Sequence, residues 1–222
     1  MISLNEVAFQ YSVGDFHLDI SDLTIDQGEK VAVIGPSGSG KTTLLNLLAG
    51  ILTPNKGSIL VDGMTVNGMN DAGRRDFRIT NIGFIFQDFG LLDYLNVRNN
   101  ILHPYRISDA LVLKNEVRDR AEMLAEQMSI ADKLNRHPDD LSHGERQRVA
   151  ICRALLTKPK LILADEATGN LDPKNKKHIL ELLFDSVQVH NATLLAVTHD
   201  QELLPRFDRV INFNDFQQGE KT

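Results

Sequence analysis

An octapeptide near the N-terminus carries the residues best suited to chemistry. Residues 35–42 read Gly-Pro-Ser-Gly-Ser-Gly-Lys-Thr and fit the phosphate-binding pattern G-x-x-x-x-G-K-[ST]. The apolar residues 31–34 before them predict a buried strand, and residues 44–48 after them predict a helix. Glycines let consecutive backbone N–H groups point at an anion, and the helix N-terminus adds its positive dipole end. We therefore expect Lys41 to reach the β- and γ-phosphates of a nucleotide and Thr42 to bind Mg²⁺.

The whole loop is expected to surround the nucleotide phosphates, although a Gly/Ser loop that fits the pattern by chance is the simpler alternative. The agreement of loop, lysine, hydroxyl and flanking elements favours the phosphate site. The residues predicted to contact the nucleotide here are Gly35, Pro36, Ser37, Gly38, Ser39, Gly40, Lys41, Thr42 and Thr43.

Two acids follow a later apolar strand, predicted at residues 161–164. Ligands of open α/β sheets bind at the carboxyl ends of the strands, so these acids are expected to approach the phosphate loop. Asp165 is placed to hold Mg²⁺ through water, and Glu166 is placed to polarise an attacking water. Without the phosphate loop, a solvated acidic turn would be the simpler interpretation.

Length and composition narrow the class of protein. The 222 residues suit one domain, or one domain with an insertion, and the net charge of −6 argues against a surface that coats nucleic acid. The single cysteine, Cys152, excludes an internal disulfide and suits a reducing cytoplasm. No signal peptide is evident, and the longest apolar stretch falls short of the roughly 20 residues of a membrane span. If the protein works at a membrane, another polypeptide must cross it.

The pattern of apolar runs predicts an α/β fold. An antiparallel hairpin is expected before the phosphate loop, further strands near residues 58–61, 82–86, 161–164 and 194–197, and helices at 114–128, 142–156 and 174–189. We predict a RecA-like P-loop NTPase core with a mixed sheet, an N-terminal antiparallel β part and an inserted α-helical subdomain. The chain would then be a single domain, 1–222, with its core at 1–87 and 158–222 and the helical subdomain at 88–157.

A second helix N-terminus could bind an anion. Ser142 fits an N-cap, and Glu145 three residues later completes a capping box, whatever the function of the protein. In the functional interpretation, the Ser142 hydroxyl and the Gly144 N–H are presented to a phosphate.

These residues carry a resemblance to a family. Residues 141–147, Leu-Ser-His-Gly-Glu-Arg-Gln, resemble the Leu-Ser-Gly-Gly-Gln signature of ABC-type ATPases, with His143 in place of the first Gly and Glu145 in place of the Gln. The similarity extends over nearly the whole chain. It implies that Tyr11 stacks on adenine, that Gln87 senses Mg²⁺ and the γ-phosphate, that residues 169–172 with Asp172 form the D-loop, and that His199 contacts the γ-phosphate.

The resemblance implies cofactors and partners as well. ATP and Mg²⁺ are expected, with Thr42, Gln87 and Asp165 at the metal and with Lys41, Glu166 and His199 in catalysis. Two copies would pack head to tail around ATP. A transmembrane permease would contact residues about 88–105, an apolar stretch, at the cytoplasmic face of the inner membrane. Residues 145–151 and 165–172 look closest to the lipoprotein-releasing, macrolide-exporter and cell-division branch, although most members have Pro where this chain has Ala167.

Two alternatives remain open from the sequence. A soluble ABC-type ATPase could act on nucleic acid or the ribosome, but such proteins usually carry two cassettes, a coiled coil or basic arms. A regulatory cassette could bind ATP and barely hydrolyse it, and the feature that suggests this alternative is His143 in the signature. The imidazole could crowd the closed dimer, approach the phosphates when protonated, or point to solvent. We expect crowding, and the sequence does not predict a cargo.

Overall fold

The computed structural model describes residues 1–167, 173–189 and 191–216. The strands in chain order are β1 (Ile2–Gln10), β2 (His17–Ile25), β3 (Lys30–Ile34), β4 (Lys56–Val61), β5 (Met64–Thr65), β6 (Ile82–Ile85), β7 (Leu161–Asp165), β8 (Thr193–Val197) and β9 (Arg209–Asn212). The α-helices are α1 (Lys41–Leu48), α2 (Asp71–Asn81), α3 (Val97–Ile101), α4 (Asn115–Gln127), α5 (His143–Leu156) and α6 (Pro173–Val189).

The strands form two sheets. One has the order β2-β1-β4-β5 and is antiparallel, and the other has the order β6-β7-β8-β3-β9 with every described pair parallel. The predicted α/β architecture with an N-terminal antiparallel β part is confirmed, and the core sheet, expected to be mixed, is parallel in every described pair. Strand β1 pairs with β2 along one edge and with β4 along the other, so these strands form a sheet of their own, and β3 pairs with β8 and β9 in the core sheet.

The parallel sheet separates two hydrophobic clusters. In β7, Leu161 and Leu163 belong to the cluster that contains α1 and the antiparallel sheet, whereas Ile162 and Ala164 belong to the cluster that contains α3, α4, α5 and α6. This alternation follows from the two-residue period of a strand. The continuous apolar run of β7 therefore reflects burial on both faces, as the parallel sheet requires. Helices α3 to α5 lie within residues 88–157, and the division into subdomains stays a prediction.

Helix α5 approaches β6 unusually closely. A Cβ atom on Gly83 would lie 2.5 Å from the carbonyl oxygen of Ala154 and 3.1 Å from its carbonyl carbon. Backbone atoms of a helix cannot withdraw from such a contact without moving the helix. Glycine at position 83 therefore sets the distance between the helix that begins at His143 and the strand that leads to Gln87.

Candidate functional site

One cleft brings together most of the residues that the sequence singles out. It has a volume of about 500 Å³ and opens beyond the carboxyl ends of β3, β6 and β7. The acids that follow the strand predicted at 161–164 therefore approach the phosphate loop, as expected for an open α/β sheet. The lining residues are Tyr11, Phe16, Ser37, Gly38, Gly40, Lys41, Thr42, Thr43, Gln87, Asp165, Glu166 and Val197.

The phosphate loop has the backbone that its glycines permit. Gly35, Gly38 and Gly40 have φ values of 154°, 78° and 107°. A Cβ on Gly40 would lie 2.7 Å from the Cζ atom of Phe16, so this position excludes a side chain on both conformational and steric grounds. Gly40 is also the N-cap of α1, and the first residues of that helix line the cleft.

Lys41 is held within the loop. Its Nζ atom donates hydrogen bonds to the carbonyl oxygens of Gly35 and Pro36, at 2.9 and 2.6 Å. Lys41 is only 8% exposed, and Ser39 of the same loop is 3% exposed. The cation therefore lies against the main chain of the loop. Gly35, Pro36 and Ser39 shape this loop without lining the cleft itself.

Asp165 and Thr42 form the oxygen-rich part of the cleft. Asp165 is 7% exposed. Burial raises the pKa of its carboxyl, and the nearby charge of Glu166 raises it further, while a hydrogen bond from Thr42 and the charge of Lys41 act in the opposite direction. A carboxylate and a hydroxyl in direct contact are the donor types that Mg²⁺ prefers. The residues present therefore fit this ion.

Glu166 adopts a strained backbone conformation beside His199. Its φ is 45°, and its N–H donates to the carbonyl oxygen of Val197 at 3.1 Å. The Oε2 atom lies 3.5 Å from Nδ1 of His199. His199 is not among the residues that line the cleft, and it contacts Glu166, which is. A strained conformation in a non-glycine residue persists where surrounding contacts hold it. Here the contact is the hydrogen bond from Glu166, just after β7, to Val197 at the end of β8.

Tyr11 offers a partly exposed aromatic ring at the edge of the cleft. Its hydroxyl lies 3.0 Å from Oγ1 of Thr43, and the edge-on ring of Phe9 supports it with centroids 4.8 Å apart. The ring is 40% exposed, which leaves area for a planar base. Sequence reasoning missed Phe16, which lies beside Tyr11 and packs on Gly40. The signal was available, because Phe16 is the first residue of the run 16–25 in the hairpin predicted to lead into the strand before the loop.

Gln87 lies in a tight turn after β6. Its side chain is exposed to the cleft, and the turn is closed by a hydrogen bond of 3.0 Å from the Phe89 N–H to the Phe86 carbonyl oxygen. Phe89 has a φ of 65° and is buried. Arg153 of α5 donates to the carbonyl oxygens of Phe89 and Gly90, each at 2.5 Å, and its burial lowers its pKa to about 10.

The predicted second anion site lies elsewhere. Ser142 caps α5, accepting from the Glu145 N–H at 3.3 Å and donating its own N–H to the Glu145 carboxylate at 2.7 Å, so the capping box is present. Neither Ser142 nor Gly144 is among the residues that line the cleft. Asp172 and its D-loop segment lie outside the described residues.

Comparison with known proteins agrees with this geometry. A family model described as ABC transporter matches residues 18–169. The chain belongs to the ABC transporter family. It is 35% identical over 218 residues to the lipoprotein-releasing system ATP-binding protein LolD of Rhodopseudomonas palustris, covering 97% of this chain and 93% of that protein.

Other relatives are consistent with this family. The chain is 40% identical over 218 residues to the macrolide export ATP-binding/permease protein MacB of Rhodopirellula baltica, but it spans only 32% of that longer protein. The dimeric post-hydrolysis structure of the ATP-binding cassette MJ0796, bound to ADP and Pi, superposes with a TM-score of 0.86 and is 33% identical over 96% of this chain and 94% of that one.

The family fixes the general activity of the chain. It binds and hydrolyses ATP as the ATP-binding subunit of a membrane ABC system, and it acts as a dimer with a transmembrane partner. The chain therefore associates with the membrane peripherally. Within residues 1–167, 173–189 and 191–216, no helix combines the length and apolarity that a membrane crossing needs.

Proposed function

We propose that this chain drives conformational change in a separate permease of the lipoprotein-releasing or macrolide-exporter type, at the cytoplasmic face of the inner membrane. The observation that carries the proposal is the cleft in which Lys41, Gln87 and the acids Asp165 and Glu166 meet from three segments of the chain. Phosphoryl transfer depends on positioning and on electrostatic stabilisation, and these groups supply a cation, a metal-binding oxygen and a base.

Mg²⁺ would be held by the Thr42 hydroxyl, the Gln87 amide oxygen and the Asp165 carboxylate. The hydrogen bond between Thr42 and Asp165 supports this assignment, because two of the oxygens are already in contact. When bound, the ion offsets the negative charge of the phosphates. Lys41 would exchange its bonds to Gly35 and Pro36 for bonds to the β- and γ-phosphates, while the N–H groups of the loop bind the same oxygens.

Glu166 is proposed to accept a proton from the attacking water. Glu166 lines the cleft, and the bond from its N–H to the Val197 carbonyl oxygen fixes its main chain at that edge. His199, 3.5 Å from Glu166, would orient the water and contact the γ-phosphate. Tyr11, fixed by Thr43, would stack on adenine.

The cleft of one copy would be completed by a second copy packed head to tail. Ser142 and Gly144 lie at the start of α5, away from their own cleft, where a phosphate of the second copy's nucleotide would replace the Glu145 carboxylate as the partner of the Ser142 hydroxyl. Asp172 is proposed to join this interface. ATP between the copies holds them closed, and hydrolysis removes charge that both helix N-termini bind, so the dimer opens.

A second, larger groove is assigned to the permease. It has a volume of about 830 Å³ and contains no residue of the phosphate loop, so nucleotide binding is not its role. Phe86 and Ile107 contribute apolar surface, and the charged lining residues are three arginines and two aspartates, a small excess of positive charge: Arg75, Arg78, Arg153, Asp76 and Asp109. An amphipathic helix with an acidic residue fits such a groove, since its apolar face is buried and its charge is paired.

The stretch expected to contact the permease is only partly on this surface. Of residues 88–105, Gly90, His103 and Pro104 line the groove, and Tyr94 is 75% exposed. Phe89 is buried, because its ring packs within its own chain, so the apolar character of residues 89–95 overstates the exposed surface. The proposed contact therefore extends over α2 and the segment after α3.

Cysteine crosslinking tests the assignment. Ile107→Cys places a thiol at the groove, where the native side chain is 62% exposed, and Val189→Cys is the control, at an apolar residue that is 76% exposed at the end of α6. The native Cys152 is fully buried, so it does not compete. In native membranes, the first variant should capture a multi-span membrane protein and the second should not. Equal capture by both, or capture of RNA or ribosomal protein, would contradict the proposal.

A further inference from the structure

His143 contacts the turn that carries Gln87. Its ring meets the ring of Phe89 edge to face, with centroids 4.6 Å apart and an angle of 71° between planes. The two residues are far apart in sequence, and the contact joins the first residue of α5 to the turn after β6. The sequence led us to expect that the imidazole would crowd the nucleotide of a second copy, whereas the ring has a partner within its own chain.

The turn is held by α5 at two places. Arg153, near the C-terminal end of the helix, holds the main chain through the carbonyl oxygens of Phe89 and Gly90. His143, at the other end, holds the side chain of Phe89. Phe89 has a left-handed backbone conformation, which is uncommon for a non-glycine residue. Packing of its buried ring helps to hold the backbone in this conformation.

Movement of Phe89 must move Gln87. The two residues are separated by one residue within a turn that the bond from the Phe89 N–H to the Phe86 carbonyl oxygen closes. A displaced Phe89 ring would break or lengthen this bond, and Gln87 would lose its fixed position at the cleft. A glycine at position 143, as in the Leu-Ser-Gly-Gly-Gln pattern, has no side chain with which to prevent this.

We propose that His143 is a positioning residue for ATP hydrolysis, which acts on Gln87 through the ring of Phe89. The proposal rests on the proposed role of Gln87 at the metal. His143 is the first residue of α5 and lies between Ser142 and Gly144, which are proposed to face a second copy. It therefore connects that surface with Gln87 in its own cleft. The effect of losing it is moderate, because Arg153 still holds the main chain of the turn.

Amide exchange of the nucleotide-free protein tests the contact without activity. His143→Ala should speed exchange in residues 87–91 by about threefold or more, since local opening becomes easier. His143→Phe keeps an aromatic edge and should exchange as the wild type does. Strand β1 is the internal control and should be unchanged in both variants. Equal exchange in His143→Ala and the wild type would overturn the proposal.

Steady-state kinetics test the consequence. His143→Ala should lower kcat about threefold to tenfold with KM for ATP within about twofold, because a misplaced group affects the reaction more than nucleotide binding. Phe89→Leu should act similarly, and the double variant should be no slower than the slower single variant. Losses that multiply, or a higher kcat in His143→Ala as crowding predicts, would refute the proposal. A wild-type kcat in Gln87→Ala would instead refute the role of Gln87, and faster exchange in His143→Ala would then still support the contact.

Discussion

Replacing Glu166 by Gln tests the proposed chemistry most directly. The variant keeps the size of the side chain and one oxygen, but it removes the group that accepts the proton from water. The 3.5 Å contact with His199 joins side chains that are 27% and 61% exposed, so its loss should cost little folding energy. Glu166 also raises the pKa of Asp165, and removing its charge relieves that repulsion.

The expected magnitudes separate chemistry from stability. Loss of a general base lowers the rate of hydrolysis by about 10²-fold or more, which corresponds to about 2.7 kcal/mol of transition-state free energy. The free energy of unfolding should change by no more than about 0.5 kcal/mol, since one weak contact is lost and one repulsion is relieved. ATP affinity should be retained, because Lys41 and the phosphate loop are untouched.

Single-turnover hydrolysis, ATP titration and size exclusion with Mg-ATP together test these values. The variant should bind ATP, hydrolyse it slowly and accumulate as a dimer, because the closed state no longer decays through hydrolysis. Glu126→Gln makes the same chemical change at an exposed position of α4 and should behave as the wild type. A Glu166→Gln protein that stays monomeric and hydrolyses ATP at the normal rate would refute the assignment.

Three further substitutions have distinct expected outcomes. Lys41→Ala should weaken ATP binding by about 10²-fold in equilibrium titration, since a charge-assisted contact to the phosphates is lost, and wild-type affinity would contradict the phosphate site. Asp165→Asn should abolish hydrolysis yet raise Tm at pH 7, since it removes a charge that burial disfavours. Because burial raises the pKa of Asp165, its charge opposes folding above the ordinary carboxyl pKa of about 3.9, so the gain in Tm should vanish as the pH falls to that value. Gln147→Met should raise the free energy of unfolding by about 1 kcal/mol, since Gln147 is fully buried and neither amide atom has a hydrogen-bond partner among the described residues. A loss of stability would show that the amide is paired.

The sequence predicted the elements that carry a strong local pattern. The phosphate loop, the hairpin before it and the strand that ends at Asp165 were all recognisable, because each combines a periodic apolar run with glycine or acidic residues at its end. The helix predicted at 114–128 corresponds to α4 (Asn115–Gln127), and the helix predicted at 142–156 corresponds to α5 (His143–Leu156). These predictions succeeded because the apolar periodicity and the glycine or acidic residues that mark each element lie within the element itself or next to it in the sequence.

Other elements lacked such a signal. Helix α2 fully buries only Phe77, and Ala72 and Ile79 are its other apolar side chains among mostly polar and charged residues, so no long apolar run marks it in the sequence. Strand β9, Arg209–Asn212, has no buried residue and is recognisable only by its pairing with β3. The contact between His143 and Phe89 depends on two distant segments meeting at one end of a helix, and no local pattern encodes it. The separation of the two sheets likewise depends on which strands pair with β1 and which pair with β3, and these partners are distant in the sequence.

The close approach at Gly83 has a consequence for how the sequence can vary. This residue touches no proposed ligand, yet any side chain would push against the main chain of Ala154 at 2.5 Å and move the whole of α5. Since α5 carries His143 at one end and Arg153 near the other, such a shift would disturb the turn of Gln87 at both of its attachments. In a saturation library selected for transport, position 83 should tolerate substitution as poorly as the phosphate loop itself, although it lies at the interface between a helix and a strand.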